Sequence, residues 1–361
     1  MGGKLKTLLV SLVPINHALV FDFDQFSHLR TQSAIMKFTS VLAFFLATLT
    51  ASATPLYKRQ NVTSGGGTVP VIITGGPAVS GSQSNVTTTT LFNSTSTLNI
   101  TQLYQIATQV NQTLQSESSS GIIIVTNWRS IETLSFFCSI VFNTSKTIVI
   151  TENFLWGVPI LSSSDAEGRG TLVAGRDKVV YSGVFPPYTV PVGVLSGQKN
   201  VQWFFDACEP TLIASNSTIR TQYSNFTSAQ ISSNASSGTN TSSSSSNPLV
   251  PIIYEEGYSQ SLIQSLSSSI QGLVVVSSGT SHNSTVASWT SVDFPVVYAS
   301  DGSSGHDGSG IGFISNTSIP QGAISAGYLS PIQAQTLLSI AIHNQVTSSS
   351  ELQQIFPVSQ Q

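Results

Sequence analysis

The chain reads as an α/β protein: a larger N-terminal domain built on a parallel sheet, followed by a smaller α/β domain. Three observations predict this. Short β-branched runs alternate with helix-length segments, a tract of Ser, Thr, Asn and Gly interrupts the alternation, and the alternation then restarts. The first strand falls at 69–74. A helix follows near 100–114, with Ile100, Leu103, Tyr104, Ala107, Val110 and Leu114 on one face. A strand at 121–126, a helix near 131–142 and strands at 146–151 and 171–174 complete the first series. Residues 228–248 bury too little apolar area to offset ordering entropy, so they read as a linker between domains at 68–227 and 249–345. The second series has strands at 250–254, 273–277 and 295–298, and a helix near 259–270. Its last helix opens with Ser330 as N-cap, Pro331 at the first position and Gln333 completing a capping box, with Leu337, Leu338 and Ile342 as anchors. Residues 346–361 read as a polar tail.

The N-terminus is written for export. Met36-Lys37 precedes the apolar run 41–47 and the small-residue site Ala51-Ser52-Ala53, which together form a signal peptide at 36–53. Residues 1–35 then read as a gene-model extension, since Pro14, Asn16 and His17 break their apolar run and no cleavage site follows. Residues 54–59 end in Lys58-Arg59, a pair that resembles the site of a fungal Golgi processing protease, so the mature chain would begin at Gln60. No long apolar span follows the signal, and no anchor tail ends the chain. The expected location is secreted, extracellular or cell wall.

Only 8% of the 361 residues are charged, against 40% hydrophobic. From Gln60 onward fourteen acidic residues face seven basic ones, which argues against nucleic acid or an anionic membrane as partner. The glycan acceptor pattern occurs at Asn61, Asn85, Asn93, Asn99, Asn111, Asn143, Asn216, Asn225, Asn234, Asn240, Asn283 and Asn316. Each occupied position must face solvent. The two cysteines, Cys138 and Cys208, read either as one disulfide or as two small buried hydrophobes.

Val71-Ile72-Ile73-Thr74-Gly75-Gly76, the strand 121–126, Glu132-Thr133 before Phe136-Phe137, Arg169-Gly170-Thr171, and the run 322–331 resemble, in order and spacing, the L-asparaginases of the secreted type II class. The resemblance runs from about Val69 to Ile342. It implies a two-domain asparaginase-like fold, hydrolysis of the asparagine side-chain amide, a small amino-acid-like ligand, a homo-oligomer, and neither cofactor nor metal. It also implies two catalytic threonines, one of them the nucleophile in a flexible loop, with an Asp and a Lys that activate the second. At the matching positions this chain carries Pro77, then Arg129 and Ser130 within Asn127-Trp128-Arg129-Ser130-Ile131, and Tyr188. Removing such groups costs roughly 10⁴ to 10⁶ in turnover. The expectation is therefore a catalytically degenerate relative serving as a binding or surface protein. The alternative is a divergent amidohydrolase that converts L-asparagine to L-aspartate and ammonia with other groups, Ser80 or Tyr188 among them.

The expected pocket comprises Thr74, Gly75, Gly76, Asn127, Trp128 and Arg129. Thr74-Gly75-Gly76 lacks the Lys-Ser/Thr ending of a phosphate loop. Ser80 reads more simply as a solvated loop serine, and His306-Asp307 as part of a glycine-rich surface loop with no second ligand cluster. A glycan at Asn283, beside His282, would obstruct the loop that reaches a neighbouring subunit's site in the family. The four tryptophans read as core, although Trp128 and Arg129 are the best candidates for a new contact should they line the pocket.

Overall fold

The computed structural model describes residues 68–76, 85–117, 119–196, 200–206, 247–255, 263, 265–277, 289–300, 302 and 312–356. All of them belong to one compact unit, Ser64–Gln361.

The larger sheet has the order β2-β1-β3-β4-β5-β6-β7-β8. Its members are β1 (Val69–Gly75), β2 (Val86–Ser94), β3 (Gly121–Val125), β4 (Thr147–Thr151), β5 (Thr171–Ala174), β6 (Val179–Ser182), β7 (Pro191–Ser196) and β8 (Asn200–Trp203). Strands β2 through β5 are parallel, and β5 to β8 form an antiparallel meander. The smaller sheet, in the order β12-β11-β10-β9, is wholly parallel. It consists of β9 (Ile252–Tyr254), β10 (Leu273–Ser277), β11 (Val296–Ser300) and β12 (Ile324–Ser325). The central strands β3, β4, β10 and β11 are buried along their whole length, which is why they read as continuous apolar runs and not as alternation.

Helices α1 (Ile100–Leu114), α2 (Ile131–Val141) and α3 (Phe154–Leu161) cover the larger sheet, and α4 (Pro331–His343) belongs to the second domain. Both α1 and α4 start with a complete capping box, Asn99 with Gln102 and Ser330 with Gln333. One apolar cluster runs from Ile122, Ile124 and Ile148 of the larger sheet through Leu134, Phe137 and Cys138 of α2. It continues into Leu337, Leu338 and Ala341 of α4 and on to Val274 and Val297 of the smaller sheet. A second cluster fills the other face of the larger sheet under α3, and a third, with Trp289 and Tyr298, lies on the far face of the smaller sheet. The two domains thus share their central core.

Several expectations need correction. The end of the chain is not a polar tail: Ser348 caps a helix, α5 (Ser349–Ile355), and Leu352 and Phe356 are buried in the shared core. Two apolar anchors suffice because packing, not intrinsic propensity, stabilises so short a helix. Strand β2 went unread because Thr87–Thr90 has no apolar face. Trp128 is not core, being 64% exposed, whereas Trp289 is buried and donates from Nε1 to the Tyr298 hydroxyl at 3.0 Å. Cys138 is a free thiol sealed in the core, where burial pushes its ionisation upward, so the structure takes the buried-hydrophobe reading. Cys208, the linker through 246, positions 259–262 and 264 of the helix expected near 259–270, and the acceptors Asn61, Asn216, Asn225, Asn234, Asn240 and Asn283 lie outside the described residues.

Candidate functional site

In a parallel sheet, loops gather at the carboxyl ends of the strands, and the crevice forms where the chain reverses its direction of winding. Here β1 is followed by β2 on one side, and the chain then crosses through α1 to β3 on the other. The crevice therefore opens between Thr74-Gly75-Gly76 and Thr126-Asn127, where the sequence placed the pocket.

Among the described residues, the polar side chains there bond to the chain's own backbone. Asn127 Nδ2 donates to the carbonyls of Ser94 at 2.9 Å and Ser96 at 3.1 Å, and its Oδ1 accepts from the Arg129 amide at 3.0 Å. Ser130 is fully buried and its hydroxyl donates to the same Ser96 carbonyl at 3.0 Å. A side chain at Gly75 would collide with the Ser94 carbonyl, so glycine is what lets this segment lie over β1. Gly76 holds φ +89°, and a Cβ there would sit 2.7 Å from the Thr126 carbonyl. Thr74 is buried and donates to the Val125 carbonyl at 3.1 Å. Beside this group the Thr126 Oγ1 is buried without a hydrogen-bond partner.

Of the expected pocket, the structure brings Thr74, Gly75, Gly76 and Asn127 together and turns the other two residues outward. Arg129 is exposed and lies over the exposed Trp128 ring at 5.2 Å, a cation–π pair on the surface. Pro77, Ser80, His282, His306 and Asp307 lie outside the described residues.

A second polar group sits at the ends of β4 and β5. The Arg176 guanidinium grips Glu152 in a two-pronged pair, Nε to Oε2 and Nη2 to Oε1, both at 2.7 Å. The carboxylate is nearly buried while the arginine side chain is 70% exposed, so the remaining N–H groups of Arg176 face outward. Tyr188 adopts a left-handed φ of +67° and stands edge-on to Tyr181, with ring centroids 5.3 Å apart. The Tyr181 hydroxyl donates to Asp177 Oδ2 at 2.5 Å. Burial first, then Asp177, pushes Tyr181 up to about 12. Burial and then the Glu152 carboxylate hold Tyr188 above the usual phenol range. Sequence reasoning missed Glu152, Arg176, Asp177 and Tyr181. Their signal was a charged residue within two positions of the end of each of two buried strands, in a chain where charge is scarce. Among the described residues, no group of three or more His, Cys, Asp or Glu is placed to hold a metal ion, and no helix is long and apolar enough to cross a membrane.

The fold matches the crystal structure of the Probable Cytoplasmic L-asparaginase from Campylobacter jejuni with a TM-score of 0.58, over 80% of this chain and 99% of that one. Identity there is 16%, so the likeness is one of fold. No family model matches the sequence. Protein YGP1 of Saccharomyces cerevisiae is 48% identical over 296 residues, which span 80% of this chain and 79% of YGP1. The chain belongs to one family with YGP1, and its fold is asparaginase-like. Within that scaffold, Arg129 is an exposed cation and Ser130 a sealed hydroxyl.

Proposed function

We propose that this asparaginase-like protein is a secreted glycoprotein that has given up amide hydrolysis and uses its scaffold for binding or at the cell surface. The commitment of the crevice's polar side chains to backbone carries the reading. A nucleophile must be reachable and must have a base beside it, and Ser130 is buried with its proton committed to a backbone carbonyl. Tyr188 is no better, since its phenol is held neutral and the nearest carboxylate is already gripped by Arg176. If a small amino-acid-like ligand binds, the outward fork of Arg176 suits its carboxylate. Secretion rests on the signal peptide and the Lys58-Arg59 pair. The exposed placement of acceptors Asn85, Asn93, Asn99, Asn143 and Asn316 is compatible with glycans. At Asn99 the cap uses Oδ1, which leaves Nδ2 for a sugar.

The test uses protein collected from culture medium. Its N-terminus should be Gln60, its mass should fall on glycosidase treatment, and it should release no ammonia from asparagine or glutamine above a buffer blank. Turnover near that of a working L-asparaginase would refute the non-catalytic reading, and loss of that turnover in Ser80→Ala would assign it to the alternative amidohydrolase.

A further inference from the structure

Strand β2 is the outermost strand of the larger sheet among the described residues, hydrogen-bonded to β1 alone. Side chains of a strand alternate between faces, yet Thr87, Thr88, Thr89 and Thr90 are all exposed, so among the described residues no layer covers either face there. The strand contains neither charge nor proline, and Thr87 to Phe92 is a neutral, β-branched and apolar run. An outer strand with those properties is a template for pairing with another chain, and folded proteins guard against it with lysine, proline, bulges or a cover. Here the register shift lies at the far end, opposite Ile73 to Gly75, and leaves Val86 to Thr90 in unbroken register with β1. The sequence instead places glycan acceptors at both ends: Asn85-Val86-Thr87 before the strand and Asn93-Ser94-Thr95 at its close, with both asparagines exposed.

We propose that the outer edge of β2 is a self-pairing surface, and that N-glycans on Asn85 and Asn93 keep a second copy of this chain off it. The partner is another copy because antiparallel pairing about a two-fold axis sets the threonine run against itself. No like charges then meet, and Thr–Thr pairs are favourable across strands. Nine residues give an edge about 30 Å long, with one acceptor at each end, so a copy aligned along it meets a glycan in either direction. The proposal rests on the glycoprotein reading above, but it makes the position of two glycans matter and not merely their number.

The experiment compares three forms of the full secreted chain by sedimentation velocity over a concentration series. Asn85→Gln/Asn93→Gln should form species larger than the parent, growing with concentration. Asn143→Gln/Asn316→Gln, which removes two acceptors elsewhere, should sediment as the parent does. Adding Thr88→Lys to the first variant should restore the parent's behaviour, which separates edge pairing from misfolding. The proposal is overturned if the first variant keeps the parent's assembly, if Thr88→Lys fails to rescue it, or if peptide mass spectra show Asn85 and Asn93 bare while other acceptors are occupied. A protein with no glycosidase-sensitive mass anywhere would instead overturn the glycoprotein reading, and the guard with it.

Discussion

Two regions at the same end of one sheet have opposite characters. Between β1 and β3 the side chains of Asn127, Ser130 and Thr74 bond to the backbone, two of them to the segment Ser94–Ser96. Between β4 and β5 the polar groups are charged, bond to one another, and leave the Arg176 side chain facing out. In the first region polar residues act as structural glue. In the second they remain available. Polar side chains at one end of a sheet can be committed to a neighbouring loop while the ledge beside them keeps its charge.

That contrast can be tested in order of expected effect. Asn127→Ala should cost about 1–3 kcal/mol in chemical denaturation, because it takes the side-chain donor from the Ser94 carbonyl, whereas the Ser96 carbonyl keeps the Ser130 hydroxyl. A loss below roughly 0.5 kcal/mol would mean that the loop does not depend on this side chain.

Next in size is the domain joint. Glu132 accepts a hydrogen bond from Ser330, the residue that also caps α4. Burial holds its carboxyl above the ordinary range, and the Ser330 bond pulls it part of the way back. An acid whose folded pKa is raised binds its proton more tightly in the folded state. Stability is therefore greatest below the ordinary carboxylate range and falls as pH rises toward the raised value. Glu132→Gln keeps an acceptor without the charge, so it should gain roughly 1 kcal/mol near neutral pH and flatten this dependence.

The smallest effect belongs to the ledge. Glu152→Gln should change stability by less than about 1 kcal/mol, since its partner is exposed. The Tyr188 phenol should move down toward its ordinary value in an absorbance titration, because Glu152 is one of the charges raising it.

The sequence made most of the frame legible. The apolar runs of β3, β4, β10 and β11, the face of α1 and the box that starts α4 all stand where pattern and capping put them. What escaped is what depends on distant partners. Strand β2 has no apolar period, only a neighbour to pair with. Helix α5 is anchored by two side chains that a polar stretch conceals. Asn127 and Ser94 are 33 residues apart, and no local pattern announces that one will bond to the other. Sequence matching grouped Thr74, Gly75, Gly76 and Asn127 with Trp128 and Arg129, but the last two turn outward, and the charges of the ledge gather next door.

The apolar cluster that passes from the larger sheet through α2 and α4 into the smaller one has a thermodynamic consequence. Domains that share a core cannot melt separately: exposing Leu338 on one side strips Phe137 on the other. Calorimetry should record a single transition, and the slowest-exchanging amides of both sheets should report the same opening free energy.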